Sequence, residues 1–160
     1  MKSLLVLFLL VISQSALAAT YVYDVYADTI AEPQKQDFRF ELSFDGTFGP
    51  ENKITGMKLI GTQRGETLLF SLDQKEIQNH FKILWYPNRS FKLVTLQPFS
   101  ITSGQTYMSK YSDAPFENGN LASFFALKMN EKESIELNLQ NITFEEMLMN
   151  GFLKLNHVSE

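Results

Sequence analysis

The sequence predicts an all-β protein: an antiparallel β-sandwich or jelly roll of about ten short strands, with one short helix near the C-terminus. Three observations carry this. Phe38 to Asp45 reads F-R-F-E-L-S-F-D, an unbroken alternation of apolar and polar residues. Only an extended strand sends alternate side chains to opposite faces, so Phe38, Phe40, Leu42 and Phe44 form one dry wall. Similar segments recur at roughly 8–12 residue spacing, separated by turn residues. The chain also carries 14 Phe and 6 Tyr, enough aromatic volume to fill the space between two sheets. A closed barrel is the second architecture the pattern admits.

The elements follow in order. Thr20 to Asp28 is rich in Tyr and Val and predicts a first strand, with Tyr21, Tyr23 and Val25 on one face. Glu32 to Gln36 is polar with a proline and is expected to connect it to the Phe38 strand. Gly46 to Asn52 holds two glycines and a proline, a loop signal. Lys53–Thr62 and Thr67–Leu72 predict strands, and Gly56 and Gly61 suggest a bulge in the first. Asp73 to Asn79 is ambiguous between a loop and one helical turn opened by Ser71 with Gln74. His80–Tyr86 and Phe91–Gln97 flank Pro87-Asn88-Arg89-Ser90 and predict a hairpin. Its simplest register sets Tyr86 opposite Phe91, Leu84 opposite Leu93 and Ile83 opposite Val94, with Trp85 opposite Lys92. Both faces of that hairpin are apolar at mid-length, so it is expected inside the sheet.

Pro98 to Gly104 reads as a crossing loop, Gln105 to Tyr111 as a strand, and Ser112 to Asn120 as a stretch without periodicity. Leu121–Met129 and Ser134–Gln140 predict a second hairpin around Asn130-Glu131-Lys132-Glu133. Thr143 followed by Glu146 is a capping box, flanked by Ile142 and Met147 as a hydrophobic staple. With Phe144, Met147 and Leu148 on one face and Gly151 beyond, this predicts a helix of about two turns. Phe152 to His157 is expected as the last strand.

The first eighteen residues are read apart from the fold. Lys2 supplies a positive charge, Leu4 to Ile12 is an apolar run, and Ala16-Leu17-Ala18 matches an A-x-A cleavage site. This predicts a cleaved signal peptide over 1–18 and a single domain over 19–160. The run is short of the about 20 residues a membrane span needs. The expected product is periplasmic or secreted, with no stable membrane span. Without Lys2 the balance is 13 basic to 18 acidic residues, interspersed, which disfavours nucleic acid as a partner. The chain has no cysteine, which excludes disulfides, thiolate metal sites and thiol nucleophiles. Asn88-Arg89-Ser90 and Asn141-Ile142-Thr143 match the N-glycosylation pattern, relevant only in a eukaryotic host.

Candidates for chemistry are few. The two histidines, His80 and His157, have no G-x-S-x-G or H-E-x-x-H context, so no catalytic residue is assigned. Asp24, Glu41 and Glu136 lie on strands, where they read first as solvated faces and second as acids for a glycosidase. Asp113, Glu117, Asn118 and Asn120 offer hard oxygen ligands, so calcium is the one cofactor the sequence admits, without EF-hand spacing. Trp85, Tyr86, Tyr107 and Tyr111 are candidate ligand-binding aromatics, able to stack on sugar rings if they lie outside the core. The leading functional expectation is an exported, non-enzymatic β-sandwich binding module, its ligand a carbohydrate or an envelope or host protein. The alternatives are a small jelly-roll glycan hydrolase with paired carboxylates, and an assembly subunit that pairs through an edge strand.

Overall fold

The computed structural model describes residues 17–27, 32–62, 65–97, 99–101, 120–141 and 147–160. Its strands are β1 (Ala19–Ala27), β2 (Gln34–Phe44), β3 (Ile54–Gly61), β4 (Thr67–Asp73), β5 (Phe81–Trp85), β6 (Phe91–Thr95), β7 (Phe99–Ile101), β8 (Asn120–Met129), β9 (Ser134–Asn141) and β10 (Met147–Ser159). One helix, α1 (Gln74–His80), joins β4 to β5. All pairings are antiparallel within one sheet, in the order β4-β3-β2-β1-β10-β9-β8-β6-β5, with β7 paired to β8 off this path.

The sheet is curled into a half-barrel. Tyr21, Tyr23 and Val25 of β1, and Phe40, Leu42 and Phe44 of β2, are buried on the concave side. Phe125 and Leu127 of β8 and Leu137 and Leu139 of β9 join them in one core. The curl shows in which rings meet. Phe40 stacks on Phe125 at 6.2 Å, although β1, β10 and β9 lie between their strands in the sheet. Phe70 of β4 meets Phe99 of β7 edge-on at 5.3 Å. Such contacts require the dry face to fold over on itself. The core is therefore one sheet's inner wall, filled with its own side chains.

Helix α1 is local chemistry in a gap of the sheet. Asp73 caps it by accepting the Glu76 N–H at 2.8 Å, and the Glu76 carboxylate accepts the Asp73 N–H at 2.8 Å. This reciprocal pair satisfies two otherwise orphaned donors. The cap is thus Asp73, not Ser71, and it opens two turns rather than a loop. Ile77 is buried in the core, so the helix fills space between the two ends of the sheet.

Several expectations need correction. The strands anticipated as two packed sheets belong to one continuous sheet. Alternation marks one dry face per strand; it does not say whether that face meets a second sheet or the far side of its own. The C-terminal helix is also corrected where it can be followed: Met147 to Asn150 open β10 against β9, and Gly151 pairs with both β9 and β1, while residues 143–146 of the expected helix lie outside the described residues. A two-turn helix is marginal on its own, and pairing with β9 outweighs its capping signals. Residues 34–37 belong to β2, and Phe99–Ile101 of the expected crossing loop is β7. The expected strand over Gln105–Tyr111 lies outside the described residues.

The hairpin register is shifted by one residue. Trp85 pairs with Phe91, Ile83 with Leu93 and Phe81 with Thr95. Tyr86 N–H bonds Ser90 O and Arg89 N–H bonds Tyr86 O, which leaves a three-residue loop instead of four. A one-residue slip exchanges the two faces of a strand. The observed register puts Phe81, Ile83 and Trp85 inward with Phe91 and Leu93, and leaves Lys82 and Leu84 exposed. The hairpin is not interior: β5 is an end strand of the sheet.

Candidate binding site at the open seam

The sheet ends on β4 and β5, and among the described residues no ladder joins these two edges. At one end of this seam sits α1. At the other sits Trp85, the chain's single tryptophan, half-buried against the core. Its ring lies 5.0 Å from Phe91, 5.5 Å from Phe48 and 6.4 Å from Phe44.

The turn after Trp85 has a specific construction. Pro87 and Asn88 occupy the centre of a turn closed by Arg89 N–H to Tyr86 O at 3.0 Å. Arg89 follows with φ 60, in the left-handed region. Three-residue hairpin loops commonly end with such a residue, and glycine accepts it most cheaply. An arginine there sends its guanidinium across to the β2–β3 loop. Nη2 donates to Glu51 Oε1 at 2.6 Å and to the Phe48 carbonyl at 2.6 Å, and Nη1 donates to Glu51 Oε2 at 3.2 Å. This is the two-pronged geometry in which arginine holds carboxylates. The hydrogen bonds from Arg89 hold the Glu51 carboxyl below its usual range.

The β2–β3 loop is a closed unit. Asp45 N–H bonds Lys53 O, and Lys53 N–H bonds Asp45 Oδ1 at 2.7 Å. Asn52 reaches across it to the Thr47 carbonyl at 2.8 Å. Phe48 projects from the loop into the mouth of the half-barrel and is 3% exposed. Its ring packs at 5.7 Å from Tyr21, 5.1 Å from Phe44 and 5.7 Å from Phe91. Its N–H donates to the Tyr21 hydroxyl at 2.8 Å in a buried setting. Gly49 lies directly under the fork. A Cβ there would collide with Arg89 Nη2 and come within 2.6 Å of both Glu51 carboxylate oxygens.

The predicted site residues are not gathered in one place. Trp85 faces inward at the seam, whereas Tyr86 lies on the outer side with the Lys128 ammonium 5.5 Å above its ring. Tyr107 and Tyr111 lie outside the described residues, as do Asp113, Glu117 and Asn118. Asn120 is the first residue of β8, opposite Ile101. Asp24, Glu41 and Glu136 alternate with core residues and point outward, each beside a cation. Lys35 lies 2.9 Å from Asp24, Arg39 lies 2.8 Å from Glu41, and Lys92 lies 3.9 Å from Glu136. His80 contacts the Gln97 carbonyl at 3.3 Å, and His157 contacts Asn156 Oδ1 at 2.9 Å. Among the described residues no three His, Cys, Asp or Glu side chains converge. Beside α1, Thr55, Asp73, Gln74, Lys75 and Gln78 line an open polar depression of about 440 Å³.

Phe48, Glu51 and Arg89 are the residues that sequence reasoning passed over. One signal was readable: a phenylalanine between Gly46 and Pro50 is out of place in a wet loop unless it is buried. The other was not, because nothing in Pro87-Asn88-Arg89-Ser90 announces an arginine in the left-handed region. Comparison with protein-family models, with curated proteins and with solved structures returns no match.

Proposed function

We propose that the protein is an exported, non-enzymatic binding module that takes its ligand at the open seam, at the Trp85 end of the half-barrel. One observation carries this reading. Trp85 stands half-buried on an end strand, where the aromatic core, a guanidinium–carboxylate pair and a strand edge that no ladder joins among the described residues come together. Among the described residues the concave face carries a packed aromatic and aliphatic core, and the rim at Trp85 is where that core meets polar groups. A few polar groups beside an apolar wall are the usual composition of such sites. Export is supported by the signal-like residues 1–18. It is also supported by the start of β1 at Ala19, so that cleavage after Ala18 would leave β1 whole. The periplasm or the extracellular medium is the compartment this implies.

The test is a titration of Trp85 emission against a panel of oligosaccharides and small aromatic and aliphatic ligands. Calorimetry on Trp85→Phe serves as the control. A saturable shift with one class, weakened in the variant, supports the module. Silence with every class, or release of reducing ends from a glycan, contradicts it.

A second reading, assembly through the edge of β5, has its own observation. Tyr86 bonds Ser90 and His80 bonds Leu96, so the even-numbered residues of β5 face β6. The alternation of an antiparallel ladder then turns the backbone groups of Ile83 and Trp85 toward the seam. Exposed Leu84 lies between them. Such an edge accepts an added strand. Gel filtration tests this: a species larger than the monomer that Ile83→Pro dissociates supports it, and a monomer at all concentrations contradicts it.

A further inference from the structure

Two walls meet at the mouth, and they are chemically unlike. The β2–β3 loop presents a benzyl ring at Phe48 and a carboxylate at Glu51, three residues apart. The facing wall presents what receives them. Tyr21, Phe44, Trp85 and Phe91 surround the ring, and the Arg89 fork takes both carboxylate oxygens. The receiving wall is costly to build, because Arg89 holds a backbone conformation that disfavours any side chain. A glycine would make the same turn without strain. The side chain at this position is explained by what its guanidinium holds.

We infer that the mouth is a receptor slot for a small aryl carboxylate, and that the β2–β3 loop occupies the slot as a ligand supplied by the chain itself. The inference rests on the seam reading above and names the ligand class for that site. The loop is suited to the role because its base is closed by the Asp45–Lys53 bonds, so that leaving the slot need not undo the strands on either side. An incoming ligand would put its ring where Phe48 lies and its carboxylate on Arg89. Besides the Glu51 pair, the polar contacts it must replace or forgo are the Phe48 N–H bond to the Tyr21 hydroxyl and the Arg89 Nη2 bond to the Phe48 carbonyl. A site occupied in cis binds an outside ligand more weakly by the fraction of molecules that are open. Loosening the loop should therefore tighten binding, which is the reverse of what removing a contact residue normally does.

The probe is 3-phenylpropionate, with 3-phenylpropanol as the uncharged control, and the readout is Trp85 emission with a calorimetric cross-check. Glu51→Gln removes the competing carboxylate from the Arg89 fork and so loosens the loop, with the Phe48 side chain retained and Arg89 still able to bond its carbonyl; Phe48→Ala empties the slot of its ring. The expected result is that the acid binds Glu51→Gln about tenfold more tightly than the native protein. The acid should also be preferred over the alcohol, and Arg89→Ala in the Glu51→Gln background should erase that preference. Phe48→Ala should bind the acid at least as well as Glu51→Gln. Should Phe48→Ala not fold, the Glu51→Gln comparison decides alone. Equal affinity of native protein and Glu51→Gln overturns the inference, and so does equal affinity for acid and alcohol. An oligosaccharide that shifts Trp85 while the acid does not would support the binding module and overturn the aryl carboxylate. Acid binding only in the loosened variants would support the slot without a ligand for the native panel.

Discussion

The Tyr21 hydroxyl accepts the backbone N–H of Phe48 at 2.8 Å, joining the first strand to the loop that covers the barrel mouth. Both groups are buried, so removing the acceptor leaves a donor without its partner. Tyr21→Phe keeps the edge-on ring contacts with Phe44 and Phe48 and deletes only this bond. The expected cost is about 1–3 kcal/mol, the usual penalty for an orphaned buried polar group. Urea unfolding followed by Trp85 emission measures it.

The turn at Arg89 separates backbone strain from side-chain contact. Arg89→Ala loses the bonds to Phe48 and Glu51 and keeps a side chain in the left-handed region. Arg89→Gly loses the same bonds but relieves the backbone. Both variants should loosen the β2–β3 loop, and Arg89→Gly should melt at the higher temperature of the two. The reverse order would mean that the turn does not hold the conformation described.

Phe40 and Phe125 meet across the concavity and are almost fully buried. Phe40→Ala should destabilise the fold by about 3–5 kcal/mol, the range for deleting a large buried ring. Chemical denaturation measures this directly. A much smaller loss would mean that the two sides of the curled sheet do not touch there.

Gly151 approaches the Tyr26 carbonyl so closely that an added Cβ would strike the backbone oxygen. Unlike the contacts around Gly49, this neighbour cannot rotate away. Gly151→Ala must part β1 from β10 locally, at about 1–3 kcal/mol, the scale of overpacking. A thermal melt unchanged from the native protein would contradict that close approach.

Asp24 supplies the acid dependence. Burial alone would raise its pKa, but hydrogen bonds from Lys35 and Asn156, and the charges of Lys35 and His157, outweigh it. The carboxyl therefore ends below its ordinary value of 3.8. A group lowered on folding stabilises the native state above its unfolded pKa and loses that contribution as pH falls through the folded one. Asp24→Asn should flatten the loss of stability below about pH 4 and leave the slope above about pH 5 unchanged. Urea midpoints between pH 2.5 and 6 check this.

The strands were legible because their evidence is local. Phe38 to Phe44 alternates, and Phe40, Leu42 and Phe44 are all buried. Tyr21, Tyr23 and Val25 behave the same way. What was not legible depends on partners distant in the chain. Met147 to Gly151 carries helical signals, yet β9 claims it as a strand and β1 joins at Gly151. The hairpin register turned on whether the loop had three residues or four, and that choice rests on one unusual φ at Arg89. The mouth brings together Tyr21, Phe48, Glu51, Trp85 and Arg89, from three separate parts of the chain. Of these, only Trp85 stood out as a candidate from composition and position.

The central claim is that the β2–β3 loop is seated in the half-barrel mouth and held there by Arg89. Residue-resolved amide hydrogen exchange of Phe48 tests it most directly, since an amide bonded within the core is protected and one in a solvated loop is not. The structure predicts slow exchange at Phe48 in the native protein and clearly faster exchange in Arg89→Ala, with the amides of β2 unchanged. Exchange at Phe48 as fast as in an open loop in the native protein, or equal in both, would contradict it.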